Sequence, residues 1–307
     1  MTTTPLVTVG LPVYNGARFL RAAIDSLLAQ DLTDFELLIA DNGSTDDSVE
    51  IARAAAERDQ RVVVHRSEQN RGAAWNYNRL VDLARGTYFK WAAHDDLVEP
   101  TFLSRCVEVL QERPEVVLAY TRAVDVDEQD DVVREYELLP YAADGTPTQR
   151  ARTVVLNPSP CFESFGVMRT EQLRRTRRIG AYTSSDRTLF LELALMGRFV
   201  EVPEVLFRHR QHPERSVTRY RDDRARNVWF DPSWEGRASA PRWRLLREYG
   251  VSIVRSPIPR THRLRAGTLL PRWALANRRA LVREAASMVL GRATTVTGHH
   301  EPRAVNR

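Results

Sequence analysis

Residues 35–47 have the sequence FELLIADNGSTDD, and this stretch decides the fold. Its apolar first part, Phe35–Ala40, predicts a buried strand. The Asn-Gly pair that follows is typical of a tight turn. Ser44 and Asp47 then fit a capping box for a helix that extends to about Arg58. A strand that passes through a short turn into a helix is the repeating unit of α/β proteins.

The same alternation continues on both sides of this stretch. Short apolar strands follow helical patterns that carry one apolar face. This order predicts an α/β protein whose mixed, mostly parallel sheet has helices on both faces. The other strands are predicted at Leu6–Val13, Val62–His65, Thr87–Ala92 and Val116–Val124, and the other helices at Ala17–Leu28, Gly72–Ala84 and Pro100–Glu112.

The second half of the chain is less regular. Residues 125–160 are polar and then rich in proline, which predicts a long loop or an edge element. Beyond about Asp231, prolines divide a basic tail that has helical patches. The remaining elements are predicted as strands at Cys161–Met168 and Phe199–Arg208 and as helices at Thr170–Arg175, Ser185–Met196, Trp243–Tyr249 and Trp273–Leu290.

Length and composition exclude several classes of protein. With 307 residues and 43% hydrophobic side chains, the chain can fold one large domain with an extension, which excludes full disorder. No apolar run approaches the ~18 residues of a membrane span. The first ten residues lack the features of a secretory signal, so we expect a cytoplasmic protein. Cys106 and Cys161 are too few for a disulfide scaffold, and we expect both to be reduced packing residues.

Charge is divided unevenly along the chain. Residues 208–307 hold 22 arginines and 8 acidic residues, a balance of +14, which leaves 23 basic and 32 acidic residues, or −9, for residues 1–207. Among the 45 basic residues, Lys90 is the single lysine. Arginine is therefore overused throughout, and its abundance alone is weak evidence for a ligand.

Polar side chains cluster where the predicted strands end. In open α/β sheets, ligands bind beyond the carboxyl ends of the strands. The first turn is not the glycine-rich GxGxxG of dinucleotide enzymes, and a P-loop is absent. These observations leave a nucleotide site whose diphosphate is neutralised by a divalent metal ion bound to carboxylates.

Five motifs, in their order and spacing, resemble those of the inverting glycosyltransferases of family 2. They are Leu11–Gly16 (LPVYNG), Ala40–Asp46 (ADNGSTD), Asn70–Gly72 (NRG), His94–Asp96 (HDD) and Arg210–His212 (RQH). The resemblance covers about residues 5–216 and implies the Rossmann-like GT-A fold for residues 1–230. It divides that domain into a nucleotide-binding half, at about 1–124, and an acceptor half, at about 125–230. Residues 231–307 form a basic, mainly helical extension.

The resemblance implies a set of residues that bind the donor nucleotide. Asp41 would accept a hydrogen bond from the nucleobase, although an Asx-turn that closes the strand is the alternative. Gly72 would let a ribose or base approach the backbone, or would simply begin a helix. The complete set is Pro12, Tyr14, Asn15, Asp41, Asn70, Gly72 and Asp95.

Asp95 and Asp96 are the sharpest candidates for a metal site. Adjacent carboxylates repel each other unless a cation compensates, which favours Mn²⁺ or Mg²⁺. The resemblance implies that Asp96 binds the metal ion and that Asp95 faces the ribose or a metal-bound water. The family has an Asp-x-Asp triplet, and His94 stands here in place of its first Asp. A solvated turn is the alternative.

The resemblance assigns the remaining chemistry to two further segments. Asp186 matches the general base that takes the proton of the acceptor hydroxyl, and stabilisation of a helix start is its alternative. Glu192, on the same helix, is expected to be structural. Arg210 would hold the diphosphate, and His212 would complete the metal shell or bind a phosphate oxygen, with His209 as its competitor.

These motifs together predict a metal-dependent inverting glycosyltransferase of the hexosyltransferase type. It would move a sugar from a nucleoside-diphosphate sugar, a UDP-sugar by default, to a hydroxyl of a glycan, a lipid-linked or a small-molecule acceptor. His94 keeps open an inactive sugar-nucleotide binder. A sugar-1-phosphate nucleotidyltransferase would need a glycine-rich basic motif after the first strand. Binding of nucleic acid by the tail is the third alternative, but the acidic first half disfavours it, so we expect no nucleic-acid partner.

The basic tail predicts contact with a membrane. Apolar and aromatic side chains surrounded by arginine are typical of a helix that lies on an anionic leaflet. This would suit a lipid-linked acceptor at the inner face of the cell membrane. Packing on the acidic domain and a dimer contact are the alternatives. The apolar residues concerned are Trp243, Leu245, Leu246, Tyr249, Trp273, Leu275, Leu281, Val282, Met288 and Val289.

Overall fold

A computed structural model describes residues 4–136, 145–157, 161–220, 222–236 and 239–289. Its strands are β1 (Val7–Val13), β2 (Phe35–Asp41), β3 (Val62–Arg66), β4 (Tyr88–Trp91), β5 (Leu97–Val98), β6 (Val116–Val126), β7 (Val132–Glu135), β8 (Val167–Arg169) and β9 (Arg198–Arg210). Its α-helices are α1 (Ala17–Leu28), α2 (Ser48–Arg58), α3 (Ala73–Leu83), α4 (Phe102–Glu112), α5 (Pro147–Leu156), α6 (Thr170–Arg174), α7 (Ser185–Met196), α8 (Ser216–Arg219), α9 (Asp223–Phe230), α10 (Pro241–Arg255), α11 (Arg260–Gly267), α12 (Leu269–Ala276) and α13 (Arg278–Val289).

The described strands form one mixed sheet. Its order is β3-β2-β1-β4-β8-β6-β9-β5, and β7 pairs with β6 at an edge. The first four strands in this order are parallel. Strand β8 then enters antiparallel between β4 and β6, while β6 and β9 are parallel. The parallel first half brings the carboxyl ends of β1, β2 and β4 to the same edge of the sheet, where the predicted site residues lie.

Helices cover both faces of the sheet, as the sequence predicts. Strand β2 is buried along its whole length because its alternate side chains enter two separate cores. Leu37 and Ile39 pack in the core beneath α1 and α4. Leu38 and Ala40 pack in the opposite core, beneath α3 and α7. A mainly apolar run is therefore required here, and its buried exception, Glu36, accepts from Thr8 at 2.7 Å and from Arg85 at 2.8 Å.

The basic tail contributes to the second of these cores. Helix α10 packs on α7, and α11 and α12 pack on α5. Tyr249, Trp273 and Leu281 are buried in that core. The single helix predicted over Trp273–Leu290 is wrong, because the chain ends α12 at Ala276 and begins α13 two residues later. Position 290 and the rest of the predicted extension lie outside the described residues, and the division at residue 231 stays a prediction.

Two other predictions of secondary structure are corrected. Most of the strand predicted at Cys161–Met168 is a 3₁₀ helix at Phe162–Phe165, and only its end enters the sheet, in β8. Residues 125–160 contain β7 and also α5, which was not predicted. Thr146 and Gln149 form a complete capping box that begins α5, so the signal for this helix was present in the sequence.

The capping box predicted at Ser44 and Asp47 does not form. Helix α2 begins at Ser48, and the side chain of Asp47 makes no cap hydrogen bond. Asp46 accepts from the backbone N–H of Ser48 at 3.1 Å with Oδ1, and from that of Ala17 at 3.0 Å with Oδ2. The carboxylate one residue earlier therefore caps two helices at once.

Lys90 is fully buried in the middle of β4. Its Nζ donates to the carbonyl oxygens of Phe165 and, at 3.3 Å, of Trp91. The same group lies 4.2 Å from the centroid of the Phe102 ring. Burial lowers the pKa of Lys90 from its usual 10.5 to about 7. The only lysine of the chain is thus a core residue that crosslinks β4 to the 3₁₀ helix.

We predict that Lys90 makes stability rise with pH. Between about pH 7 and 10.5 the unfolded chain binds the lysine proton and the folded chain does not, so unfolding costs more free energy as pH increases. The difference in unfolding free energy between wild type and Lys90→Met should increase by at most about 1.4 kcal/mol per pH unit. Urea unfolding at pH 7, 8 and 9 measures it. Lys90→Arg, which stays charged at every pH, is the control that retains a cation at this position. If the difference in unfolding free energy between wild type and Lys90→Met does not change with pH, the prediction is contradicted.

Candidate active site

The loops after β1 and β2 are bound to each other. The backbone N–H of Asn15 donates to Ser44 Oγ at 2.9 Å, and Asn15 Oδ1 accepts from the backbone N–H of Thr45 at 2.9 Å. Asn15 adopts a left-handed backbone with φ 51°. Pro12 is buried within β1, whereas the ring of Tyr14 is 38% exposed beyond the strand. Tyr14 and Asn15 are both exposed, and Asn15 Oδ1 is already bonded to the neighbouring loop, so the ring of Tyr14 is the larger surface that these residues offer to a ligand.

Asp41 forms the Asx-turn that the sequence analysis gave as its alternative role. Its buried carboxylate accepts from the backbone N–H groups of Gly43, at 3.1 Å, and Ser44, at 3.2 Å. Arg66 lies 3.8 Å from the same carboxylate. The turn positions the loop, and a role of Asp41 toward a nucleobase stays a prediction.

Asn42 is a site residue that the sequence analysis missed. Its amide nitrogen donates to Asn70 Oδ1 at 2.9 Å, and its Oδ1 accepts from the backbone N–H of Arg71 at 3.1 Å. Asn70 Oδ1 also accepts from the backbone N–H of Gly72 at 2.9 Å. The ends of β2 and β3 are therefore joined by two asparagine side chains. Asn42 follows a buried strand directly, which was the available signal.

Gly72 is required by packing within the chain. Its backbone, at φ 88° and ψ 157°, lies in a region that is essentially restricted to glycine. A Cβ atom on Gly72 would lie 2.4 Å from the carbonyl oxygen of Phe230 and 2.8 Å from the ring of Pro232. The open space beside Gly72 is thus filled by the chain after α9. The approach of a ribose there stays a prediction without a contact to support it.

Asp95 and Asp96 have different surroundings. Asp95 Oδ2 lies 2.8 Å from Nε2 of His212. Asp96 Oδ1 accepts from the backbone N–H of Arg210 at 2.9 Å, and the side chain is 7% exposed. The ring of His94 packs against Gly16, where a Cβ would lie 2.3 Å from His94 Cδ2. The predicted ligand His212 therefore pairs with Asp95 and not with Asp96.

The two carboxyls also differ in proton affinity. Burial raises the pKa of Asp96 to about 6, and the neighbouring charge of Asp95 adds to the effect. Burial acts in the same direction on Asp95, but the charge of His94 and the hydrogen bond to His212 outweigh it, and the pKa of Asp95 lies below its usual value. The pair therefore carries an ionised and a more readily protonated carboxyl side by side.

Arg210 is committed to the protein around it. The residue is 2% exposed. Its guanidinium donates to the carbonyl oxygen of Asp95 at 2.9 Å and to that of Asp127 at 3.2 Å, and it pairs with Asp130 at 2.5 Å. It also lies 4.7 Å from the centre of the Phe19 ring. The predicted contact of Arg210 with a diphosphate stays untested, and these bonds give the residue a positioning role.

Asp186 lies at the start of α7, as predicted. The residue before the helix, Ser184, has a left-handed backbone with φ 65°. Asp186 Oδ1 accepts from the backbone N–H of Arg187 at 2.9 Å. No hydrogen bond or ion pair within the described ranges joins Asp186 to Asp95, Asp96 or His212.

Glu192 is structural, as expected. It is buried and accepts from the guanidinium and the backbone N–H of Arg177, at 2.6 and 2.7 Å. Ser252 of α10 donates to the same carboxylate at 2.8 Å. Glu192 thereby connects α7 to the basic tail and takes no part in the site.

The donor atoms around Asp95 suit a divalent metal ion. Carboxylate oxygens and an imidazole nitrogen are ligands that Mn²⁺ accepts. Nδ1 of His212 is buried and has no hydrogen-bond partner, although a metal-binding histidine normally donates its second N–H. Within the part of the chain that the structure describes, no three His, Cys, Asp or Glu residues are grouped as a complete metal site. A metal ion at this position would therefore need further ligands, such as the oxygens of a bound phosphate.

Comparison with known proteins identifies the family. The profile of glycosyl transferase family 2 matches residues 8–175, more than half of the chain. The chain belongs to this family. The chain is 39% identical over 105 residues to EpsJ, an uncharacterized glycosyltransferase of Bacillus subtilis. This match covers 34% of the chain and 30% of EpsJ. The chain is also 30% identical over 129 residues to a chondroitin synthase of Escherichia coli, covering 42% of this chain and 19% of the synthase.

The curated relatives are mostly longer proteins. Among four Rickettsia relatives described as uncharacterized glycosyltransferases, the match spans 15–33% of their length. Solved structures of similar fold cover more of this family 2 chain. A fragment of S. aureus TarS in complex with UDP has a TM-score of 0.61 at 16% identity, over 87% of this chain and 71% of that one. The Pyrobaculum calidifontis mannosyltransferase PcManGT, in complex with GDP-Man and Mn²⁺, has a TM-score of 0.58 at 18% identity, over 94% and 76%.

These similarities show the GT-A fold. No described helix is both long enough and apolar enough to cross a lipid bilayer.

The structure brings Asp95, Asp96, Arg210 and His212 together in one cluster, and Asn15, Asp41, Asn70 and Gly72 in the adjoining loops. Asp186 belongs to a separate element, α7.

We predict that Gly72→Ala lowers the free energy of unfolding by at least about 2 kcal/mol, since it adds a backbone clash to an unfavourable φ. Gly236→Ala is the matched control because Gly236 also has a positive φ, 76°, and no atom of the described residues lies within 4 Å of the Cβ that alanine would add. Urea unfolding of both variants separates the two effects. Equal stability of the two variants would show that the contact with Phe230 is unimportant.

Proposed function

We propose that this chain is a metal-dependent inverting glycosyltransferase that transfers a sugar from a nucleoside-diphosphate sugar to a hydroxyl group. One observation carries the proposal. Asp95 and Asp96 lie together at the carboxyl end of the parallel strands, and the end of β9 brings His212 to 2.8 Å from Asp95. Adjacent carboxylates next to an imidazole are suited to hold a cation against a diphosphate.

The proposed metal ligands are Asp96 and His212, with Asp95 beside them. A bound Mn²⁺ or Mg²⁺ would neutralise the diphosphate as it leaves the sugar. The proposal draws support from the similar fold of PcManGT, which was solved with GDP-Man and Mn²⁺. His94, in place of the usual first acidic residue, keeps the inactive sugar-nucleotide binder open as the second candidate function.

The proposed nucleoside pocket lies between the loops after β1, β2 and β3. Tyr14 would stack on the nucleoside with its exposed ring, and Pro12, Asn15, Asp41, Asn70, Gly72 and Asp95 would shape the pocket. Two structures of similar fold hold UDP and GDP-Man, respectively. These nucleotides have different bases, so the donor base is left to experiment, and a UDP-sugar is the first donor to test.

Asp186 is the proposed general base. Inversion requires a carboxylate that removes the proton from the acceptor hydroxyl while that hydroxyl attacks the anomeric carbon. Asp186 is half-buried at the start of α7, and among the described residues no hydrogen bond or ion pair joins it to Asp95, Asp96 or His212. Its carboxylate would therefore take the acceptor proton without being a ligand of the proposed metal ion.

One comparison of two variants tests the proposal. Thermal stabilisation by UDP-, GDP- and dTDP-sugars with Mn²⁺ first identifies the donor nucleotide. Asp96→Asn should then lose most metal-dependent nucleotide binding and transfer activity. Asp186→Asn should keep donor affinity and lose turnover by about 10²–10⁴.

Each result has a distinct meaning. Metal-dependent binding that persists in Asp96→Asn would remove Asp96 from the metal site. Unchanged turnover in Asp186→Asn would leave Asp186 as a helix cap. Nucleotide binding by wild type without transfer to any acceptor favours the inactive binder.

We further propose that α10–α13 attach this enzyme to an anionic membrane at the cytoplasmic face, where a lipid-linked glycan would be the acceptor. The two carboxylates of residues 241–289, Glu248 and Glu284, are buried at 7% and 6% exposure. Glu248 pairs with Arg177 and Arg247, and Glu284 accepts from the backbone N–H of Arg242. The ionised side chains on the surface of this segment are therefore all arginines.

Exposed apolar residues accompany these arginines. Leu245, Tyr249, Trp273 and Leu281 of the predicted membrane-facing set are instead buried in the core. The members of that set that stay exposed are Trp243, Leu275, Val282, Met288 and Val289. Arginines next to exposed apolar side chains favour a lipid surface over a nucleic acid, which needs no apolar contact.

We predict that the full chain floats with vesicles that contain anionic phospholipid, does not float with neutral vesicles, and is released by salt. Replacing Val282 and Val289 with serine should weaken this binding without lowering the thermal midpoint. Val132 and Val133, exposed on β7 at 52% and 56%, give the matched control pair. A chain that floats with no vesicle contradicts the proposal, and salt-sensitive binding to duplex DNA in its place would favour the nucleic-acid alternative.

A further inference from the structure

We propose that Arg215 binds the diphosphate of the sugar donor and that His209, Asp125 and Tyr136 hold its guanidinium in position. The inference rests on the proposed function, because it names a donor-binding residue of the same site. Sequence analysis assigned the diphosphate to Arg210. The bonds of Arg210 to Asp130 and to two backbone carbonyl groups leave its charge already compensated.

The charge of Arg215, unlike that of Arg210, is not compensated by a described carboxylate. Its side chain bonds to Gln211 Oε1 and, at 2.7 Å, to Nε2 of His209. Among the residues that the structure describes, no carboxylate lies within ion-pair distance of Arg215. A guanidinium has five N–H donors, so donors and a full positive charge remain for an anionic ligand.

The contact with His209 fixes the direction of the hydrogen bonds. Because a guanidinium cannot accept a hydrogen bond, Nε2 of His209 must be the acceptor. The imidazole proton is then on Nδ1 and is donated to Asp125 Oδ1 at 2.8 Å, since the other neighbour of Nδ1, the amide nitrogen of Gln211 at 3.2 Å, cannot accept it. Tyr136 donates to the other oxygen of Asp125 at 2.7 Å. The series runs from Arg215 to His209 and from His209 to Asp125.

Asp125 is a suitable end for this series. It is 3% exposed at the end of β6. Burial acts to raise its pKa, but hydrogen bonds from His209, Tyr136 and Gln211 outweigh burial, and the pKa of Asp125 lies below its usual value. An ionised carboxylate holds the Nδ1 proton of His209 and so keeps Nε2 available to Arg215.

The chain path brings Arg215 to the carboxylate pair. His209 and His212 flank Arg210, whose backbone N–H donates to Asp96. The backbone N–H of Arg215 donates back to the carbonyl oxygen of His212 at 3.4 Å, so residues 212–215 form a turn. A diphosphate bound by a metal ion at Asp96 would therefore meet Arg215 from the turn.

Calorimetry with a nucleoside diphosphate and its monophosphate tests the assignment. Wild type and variants are titrated with UDP and with UMP in the presence of Mn²⁺, or with GDP and GMP if wild type binds that pair. Arg215→Ala should weaken the diphosphate by about 10- to 100-fold and the monophosphate by less than about threefold. Arg215→Lys should give an intermediate loss, because it keeps the charge and loses the planar donors.

Arg219→Ala is the matched control. Arg219 lies one helical turn further, with its guanidinium 5.8 Å from the centroid of the Tyr220 ring, and its removal should leave both affinities unchanged. Equal losses for diphosphate and monophosphate in Arg215→Ala, or no loss, would overturn the assignment. If wild type binds neither nucleotide pair, the proposed function fails as well.

A double-mutant cycle tests the positioning residues. His209→Phe keeps a ring next to Phe162, whose centroid lies 5.0 Å from that of His209, and removes the acceptor for Arg215. It should weaken diphosphate binding by about 3- to 10-fold in wild type and have no effect in Arg215→Ala. Tyr136→Phe is a milder second variant with the same expected pattern. Losses that add in full in the Arg215→Ala background would overturn the positioning role of His209.

Discussion

The site depends on the attachment of the end of β9 to the end of β4. Arg210 makes this attachment twice, through its backbone N–H to Asp96 and through its side chain to the carbonyl oxygen of Asp95. These residues are more than 110 positions apart in the chain. Because Arg210 is buried, its charge must be compensated within the protein, and Asp130 and the neighbouring carbonyl groups do so. This anchor places His212 within hydrogen-bond distance of Asp95 and positions the turn at residues 212–215, before α8.

Buried charges also decide how the basic tail is arranged. Arg177 pairs with Glu192 of α7 and with Glu248 of α10, at 2.6 and 2.5 Å. This group of charges joins the tail to α7 within the protein interior. It also buries the carboxylate of Glu248, so the charged side chains on the exposed face of the tail are arginines. One set of contacts thus stabilises the packing and creates the cationic surface that we propose faces the membrane.

The predicted secondary structure was most accurate in long elements whose side chains are largely buried. Helix α7 was predicted at the observed residues, and β1 and β2 differ from their predictions by one residue. Long apolar runs between helices leave few alternatives there. Apart from the helix predicted over Trp273–Leu290, which the chain divides into α12 and α13, the errors in strands and helices fall in residues 125–169, where α5 depends on its capping box and β8 contributes only three residues to the sheet. Short elements of this kind are stabilised by their neighbours in space more than by their own pattern.

The sequence by itself determined the family, the order of strands and helices in the first half, and the polar residues that meet at the carboxyl ends of the parallel strands. It could do so because these depend on local patterns and on short motifs. Only the tertiary structure decided which polar residues pair with each other. Contacts between segments that are distant in the chain pair His212 with Asp95 and bind the guanidinium of Arg210 to Asp130. The side chain of Arg215 contacts His209 and keeps hydrogen-bond donors for a ligand. A side chain's partners in space set its charge, its burial and the donors it has left, and no local pattern carries that information.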